Sequence, residues 1–299
     1  MVVLNWNGWR DTLACLDSLG RLDYAKLETV VVDNGSEDDS VERLRQRFPS
    51  IALLETRENL GFPGGCNVGI RHALAQDAEY IWLLNNDAQA AADALRAMVA
   101  VAEGSPRVGA VGCVVRDVRA SQGIQAWGGG VVNLWTGTNR NVTEPSAAVR
   151  LTHLYGASIL LRAAALREIG LLDADRYFMF WDENDLCLRL RYAGWDLAVC
   201  DTAVVYHEGS ASIGKASARK FEYFSRSAVN FFCRHAPFPV VPLLLGSCRS
   251  LVKFAVTGRF GLLRATLRGY LQGLGDQARA GKLRCLLRGE EYGARFRGD

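Results

Sequence analysis

Up to about residue 207, short apolar runs that end abruptly in polar side chains alternate with stretches of apolar residues at helical spacing. The runs are 2–4, 27–33, 51–55, 80–85 and 108–116, and they are rich in Val, Leu and aromatic residues. Such runs predict buried strands. Between them, 9–19 carries Leu13, Leu16 and Leu19 on one helical face, and 41–48, 67–76 and 93–103 read as further helices. Buried strands alternating with helices predict an α/β protein with a doubly wound, mostly parallel sheet covered on both faces. Between about 121 and 150 the pattern loosens into Gly- and Asn-rich sequence, which predicts a long loop or small hairpin. Order returns with a strand at 155–162, helices at 163–169 and 185–193, and a last strand at 197–206 that closes on His207. Beyond Ala218 the chain is helical and basic, which divides it into an α/β domain, 1–212, and a helical C-terminal region, 213–299.

Charge sharpens that division. The net charge of +3 hides 16 Lys and Arg against 5 Asp and Glu in 213–299, and 19 against 27 in the rest. A basic helical tail suits an anionic surface, either a membrane or a phosphate-bearing substrate, although a helical bundle for homodimer contact fits the pattern equally. The eight cysteines have no CxxC or metal-ligand spacing and lie largely among apolar residues, as expected for a reduced, cytoplasmic setting. The N-terminus leaves no room for the apolar core of a signal peptide. No apolar run reaches the ~18 residues of a membrane span, so any membrane contact is expected to be peripheral, on the inner face.

The polar strand ends carry the candidate chemistry. Asn85, Asn86 and Asp87 follow a buried strand, where oxygen side chains suit a hard cation and equally suit a helix cap. Asp33 ends another strand; it fits a nucleotide contact or an Asx turn ahead of Asn34 and Gly35. Gly61, Gly64, Gly65 and Gly69 match no dinucleotide or P-loop spacing, but their backbone amides suit close approach to a diphosphate. Asp182, Glu183 and Asp185 lie beside Phe178, Phe180 and Trp181, and carboxylates against an apolar wall are raised in pKa, which suits a general base. A solvated helix N-terminus, with Asp185 as cap, is the plainer reading. His207 fits a metal ligand or a structural histidine.

Five segments in order then resemble a known family: Val-Leu-Asn-Trp-Asn-Gly8, Val-Val-Val-Asp-Asn-Gly-Ser36, Asn59-Leu-Gly-Phe-Pro-Gly-Gly-Cys-Asn-Val-Gly69, Leu-Leu-Asn-Asn-Asp87 and Trp181-Asp-Glu-Asn-Asp-Leu-Cys-Leu-Arg189. Together they resemble family 2 glycosyltransferases, and most of all the bacterial rhamnosyltransferase-like branch that builds O-antigen and cell-wall polysaccharide. The resemblance implies a GT-A fold and an inverting hexosyltransferase. It also implies a dTDP, UDP or GDP sugar donor, with dTDP-rhamnose first, a glycan or lipid-linked acceptor, and Mg²⁺ or Mn²⁺ as cofactor. It places Asn5, Asn7, Asp33, Asn34, Gly35, Asn59, Gly61, Phe62, Gly65, Asn67 and Asn86 around the donor. Trp181 and Gly156 fall near the acceptor. Asp87, His207 and Asn85 fall at the metal, with Asn85 where many relatives carry an Asp, so that one of the family's ligands is lost or replaced by water. Glu183 is the implied base and Asp182 its partner, in the reverse of the order common among relatives, which leaves the base between the two.

Other classes fit less well. A nucleotidyltransferase would need a glycine-rich loop with Lys or Arg after the first strand, and Asn5-Trp-Asn-Gly8 lacks it. A non-catalytic nucleotide-sugar-binding scaffold would keep the fold without transfer. Nucleic-acid binding finds no stacking-aromatic or helix-turn-helix pattern.

Overall fold

A computed structural model describes residues 1–118, 123–145, 149–209, 217–288 and 290. The elements are β1 (Val2–Asn5), α1 (Trp9–Leu19), β2 (Val30–Asp33), α2 (Ser40–Arg47), β3 (Ala52–Glu55), α3 (Gly61–Ala75), β4 (Tyr80–Asn85), β5 (Ala88–Ala90), α4 (Ala94–Glu103), β6 (Val108–Asp117), β7 (Ile124–Trp127), β8 (Gly129–Val132), β9 (Asn139–Asn141), β10 (His153–Leu154), β11 (Ser158–Arg162), α5 (Ala163–Ile169), α6 (Asp182–Tyr192), β12 (Asp196–His207), α7 (Ala218–His235), α8 (Val240–Val256) and α9 (Phe260–Arg279). The chain forms two compact units. One comprises Met1–Val131, Asn141–Ala174 and Glu183–Ser212; the other comprises Val132–Arg140, Asp175–Asp182 and Ile213–Asp299. The second unit thus holds the basic tail expected from 213 onward, together with two excursions from the earlier sequence.

The first unit is built on a sheet of order β3-β2-β1-β4-β11-β6-β12-β5, with β7 paired to β6. Strands β3, β2, β1 and β4 are parallel, and β6 and β12 are parallel. Strands β11 and β5 run antiparallel to their neighbours, so the sheet is mixed where the pattern predicted a mostly parallel one. Successive residues of the strands point to opposite faces. Val3, Val31, Trp82 and Leu84 meet α1 and α4 through Cys15, Leu16, Leu95 and Met98. Val2, Val32, Ile81 and Leu83 meet Ile70 of α3 and Leu186 and Leu190 of α6. Both faces are covered, which is why these strands read as unbroken apolar runs.

The glycine-rich stretch expected as a loop is the first half of α3. Four glycines are tolerated there because the helix lies almost on the sheet: a Cβ on Gly65 would sit 2.4 Å from Leu4 Cδ1. Helix α6 likewise starts at Asp182 rather than at Asp185. Asp185 is therefore no cap; it is fully buried and pairs at 2.7 Å with Arg189, whose guanidinium also donates to the carbonyls of Ile169 and Leu171. The loose segment after 121 contains β7 to β9, closer to the hairpin alternative than to a bare loop.

In the second unit α7 and α9 pack together and are joined by polar bonds: Gln277 to Asn230 at 2.7 Å, Arg226 to Asp276 at 2.6 Å and Gln272 to Glu222 at 2.8 Å. Helix α8 follows Pro239, with Pro242 in its first turn, where a missing backbone N–H is harmless.

Candidate active site

The parallel register brings the polar strand ends to one edge of the first unit. Asn5 lies beside Asp33, and Leu4 beside Asn85. Carboxyl ends of strands in such sheets form the crevice where ligands bind. On one side of this edge the polar groups satisfy one another. Asn5 Nδ2 donates to Asp33 Oδ2 at 2.7 Å, Ser36 Oγ donates to the same oxygen at 2.7 Å, and the Ser36 amide donates to Oδ1 at 2.9 Å. The Asx-type turn weighed for Asp33 is therefore present, and it fills three of the carboxylate's roughly four acceptor sites. Thr12 Oγ1 donates to Asn5 Oδ1 at 2.7 Å and accepts from Asn86 Nδ2 at 3.0 Å. Asn7, at φ 49°, takes the Glu37 amide on its Oδ1 at 2.8 Å.

Asn34 organises the approach to α3. Its Nδ2 donates to Asn59 Oδ1 and the Gly61 carbonyl, and its Oδ1 accepts from the Leu60 amide. Gly35 requires glycine on two counts, φ of 73° and the Glu58 backbone 2.5 Å from where a Cβ would stand. Gly61 and Phe62 begin α3 directly after this loop. Asn67 bonds elsewhere in this structure: both ends of its amide bond the Leu172 backbone, at 2.7 and 3.1 Å.

The other side is assembled by strand pairing across the far half of the sheet. Strand β12 places His207 opposite Ala88 and beside Asp117 of β6, while β7 carries Gln125 alongside β6. His207 Nε2 lies 3.1 Å from Asp87 Oδ1 and 3.2 Å from Asn85 Nδ2, with the Asp87 and His207 side chains only 7% and 5% exposed. Gln125 fixes the ring from behind. Its Nε2 donates to the His207 carbonyl at 2.8 Å, so its Oε1 must face His207 Nδ1, also 2.8 Å away. A carbonyl cannot donate, so Nδ1 carries a proton toward Gln125, and Nε2 is the ring nitrogen turned to Asp87 and Asn85. Tyr155 donates its hydroxyl to the same Gln125 oxygen at 3.2 Å. Gln125 and Tyr155 were missed by the sequence reading. Gln125 sits in the segment without periodicity, and only the β6–β7 pairing brings it to the histidine.

These donors fit a hard divalent cation. Two ligands about 2.1 Å from an octahedral ion and cis to each other stand about 3 Å apart, the spacing found between His207 and Asp87. Asn85 Oδ1 is buried with no hydrogen-bond partner, an acceptor left for a cation or its water. Among the described residues there is no cluster of three or more His, Cys, Asp or Glu side chains suited to a metal; the group gathered here is two such side chains and an amide.

Glu183 stands on the first turn of α6, partly buried, with its carboxyl group 3.3 Å from where a Cβ on Gly156 would lie. Burial raises its pKa from 4.5 to about 7, against a backbone hydrogen bond that lowers it. Burial first, then the charges of Glu183, Asp87 and Asp117, push the Tyr155 phenol up to about 12, so Tyr155 remains a donor. The phenol thus senses both the candidate base and the candidate metal ligand. Asp182 precedes Glu183 in the second unit and is 1% exposed.

Trp181 is 3% exposed; its indole donates to the Phe224 carbonyl at 3.1 Å, and its ring meets Phe224, Phe231 and Phe232 at 5.2, 4.7 and 5.3 Å. In this structure the Trp181 side chain serves packing, held among these three rings just before α6. Phe180 and Trp181 have φ of 67° and 68°, a conformation costly for bulky residues that this aromatic packing holds in place.

The family model described as glycosyl transferase family 2 matches residues 1–170. The chain belongs to that family. An N-acetylglucosaminyl-diphospho-decaprenol L-rhamnosyltransferase of Mycobacterium tuberculosis is 29% identical over 252 residues, covering 76% of this chain and 82% of the relative. Galactofuranosyltransferase GlfT1 of the same species is 32% identical over 187 residues, 60% of this chain and 59% of the relative. Among solved structures, a Pyrobaculum calidifontis mannosyltransferase in complex with GDP-Man and Mn²⁺ matches 95% of this chain and 76% of its own, with a TM-score of 0.57 at 21% identity. S. aureus TarS 1-349 in complex with UDP-GlcNAc matches 94% and 91%, at 0.56 and 14%. These are GT-A glycosyltransferases, and the family 2 chain shares their fold.

Proposed function

We propose that this glycosyltransferase moves rhamnose from dTDP-rhamnose to a hydroxyl of a lipid-linked diphosphate glycan, with inversion at the anomeric carbon. The observation that carries the chemistry is Glu183: a partly buried carboxylate with a pKa near 7, in the same unit as the Asp87–His207 pair. A base that titrates near the working pH exists in its active form yet still attracts a proton. The Mycobacterium tuberculosis rhamnosyltransferase supports the sugar and the acceptor class.

In this reading Asp33, Asn5 and Ser36 form the floor for the nucleoside, and the loop held by Asn34 and Asn59 approaches the diphosphate. Asp87, His207 and the Asn85 amide oxygen would hold a Mg²⁺ or Mn²⁺ ion, whose charge would offset the charge that develops on the leaving diphosphate. Glu183 accepts the acceptor's hydroxyl proton as that oxygen bonds to the anomeric carbon, and the bond from that carbon to the diphosphate oxygen breaks. A single displacement inverts the centre. Glu183, not the more deeply buried Asp182, is assigned as base.

The test is a thermal-shift panel of nucleotide sugars with Mn²⁺, followed by transfer to a polyprenyl-diphosphate N-acetylglucosamine acceptor. A ligand that binds only the folded chain raises its Tm. dTDP-rhamnose is expected to give the largest shift. A larger shift with UDP-galactofuranose would reassign the donor, and no shift with any nucleotide sugar would refute the reading.

A further inference from the structure

The basic tail, expected to suit an anionic surface or a homodimer contact, holds two amphipathic stretches, 221–234 and 240–268. The structure separates them. The first lies in α7, where Ser225, Val229, Phe231 and Phe232 are buried inside the second unit. Helix α8 differs. Leu243 and Phe254 point inward, while Val240, Leu244, Cys248, Val252 and Val256 form a continuous row at i, i+4 spacing, and every one is exposed. Leu244, Val252 and Val256 reach 59%, 61% and 82% exposure. A solvated helix face is normally polar, so a helix apolar on both sides needs a cover.

Charge identifies the cover. From 237 to 275 the sequence holds five basic residues, Arg249, Lys253, Arg259, Arg264 and Arg268, and no Asp or Glu. The charged side chains of α8, Arg249 and Lys253, are both exposed and both cationic. Residues Phe260, Arg264, Leu267, Arg268 and Leu271 repeat the mixture along α9. At the head of α8, Trp135 stacks on Phe238 with ring centroids 5.8 Å apart, and both are half exposed. Apolar residues mixed with arginines and lysines, and tipped by a tryptophan, are the composition of a helix lying in a bilayer interface. A second copy fits poorly: a two-fold contact places this patch on itself, basic against basic, and the stretch 237–275 itself supplies no carboxylate to answer. Among the described residues no helix is long and apolar enough to cross a membrane.

We propose that the outward face of α8, continued by the exposed side of α9, docks the enzyme flat on an anionic lipid bilayer. The apolar row enters the headgroup region, and Arg249, Lys253, Arg259 and Arg264 meet lipid phosphates, while Arg268 lies beside Glu222. The inference rests on this surface alone and stands apart from the assignment of donor and base.

The experiment is sedimentation of the full chain with vesicles of equal phosphatidylglycerol and phosphatidylcholine, and with phosphatidylcholine alone. Wild type is expected to pellet with the anionic vesicles and far less with the neutral ones. The Leu244→Glu/Val252→Glu variant should lose at least about tenfold in partitioning, and Arg249→Glu/Lys253→Glu roughly tenfold on anionic vesicles only. All of these side chains are exposed, so circular dichroism and the dTDP-rhamnose thermal shift should match wild type. No pelleting of the full chain, or equal pelleting of the glutamate variant, would overturn the proposal. So would a dimer in sedimentation velocity that Leu244→Glu/Val252→Glu splits, which would assign the face to a second copy. Vesicle binding without any sugar transfer would refute the proposed reaction and leave the docking surface standing.

Discussion

The two halves of the site edge are built on opposite principles. Around Asp33 the protein answers its own polar groups: Asn5, Ser36, Thr12 and Asn86 form a closed hydrogen-bond network. Around Asn85 and Glu183 the match is incomplete. Asn85 Oδ1 lacks a hydrogen-bond partner, and Glu183 is held where its charge is poorly solvated. A closed network makes a rigid floor that costs nothing to keep without ligand. The open half stores unmet electrostatic demand that a cation and a reacting hydroxyl would satisfy. The difference teaches where shape is kept and where chemistry is done, and substitutions in the two halves should have opposite signatures.

The largest effect is expected from Glu183→Gln. Transfer should fall by about 10²–10⁴-fold, the usual worth of a positioned base. Donor affinity, read by thermal shift, should stay within about twofold. Loss of donor binding in parallel would move Glu183 to the floor and erase the contrast.

Next comes Gln125→Leu, which removes the acceptor that keeps the proton on His207 Nδ1. Mn²⁺ affinity is expected to weaken about 10–100-fold, as for other groups that orient a metal-binding histidine. Nitrogen NMR of the ring should show the proton redistributed between Nδ1 and Nε2. An unchanged tautomer with unchanged Mn²⁺ affinity would reduce Gln125 to packing.

The smallest effects are on stability, and their signs should differ. Asp33→Ala strands the Asn5 and Ser36 donors in a buried site and should destabilise the fold by about 1–3 kcal/mol, measured by urea denaturation. Glu183→Gln should do the reverse. The folded pKa of Glu183, about 7, lies above its ordinary 4.5, so the stability its neutral form contributes is present below about pH 4.5 and lost as pH rises through 7. The variant should therefore match wild type near pH 4 and exceed it by on the order of 2 kcal/mol near pH 8. Equal stability at both pH values would mean that Glu183 is solvated.

What the sequence disclosed follows the same division. Strand β4 and helix α1 were legible to the residue, because burial on both faces leaves unbroken apolar runs and the helix keeps its 3.6-residue period. Strand ends could be read too, which is why Asp33, Asp87 and His207 were candidates before any coordinates. Glycines misled: in 61–69 they signal a loop by propensity, yet α3 needs them to lie against Leu4 and Val2, and close packing overrides propensity. Asp185 misled in the same way, since a cap and a buried partner for Arg189 look alike without the 169–171 carbonyls. Gln125 could not be found at all. Its role exists only through β6 and β7 pairing next to β12, a long-range fact with no local periodicity. Nor could the sequence distinguish α7 from α8 as the outward helix, because both are amphipathic and basic until packing decides which face is covered.

The central claim is that Glu183 is the base of a family 2 site whose open half carries the chemistry. Its most direct test is the pH dependence of single-turnover sugar transfer by wild type, with Glu183→Gln measured alongside. The account predicts a rate that climbs with pH and levels off above an apparent pKa near 7, and a Gln variant with no such limb and roughly 1% or less of the activity. A rate flat from about pH 5 to 8, or a Gln variant within about threefold of wild type, would contradict it.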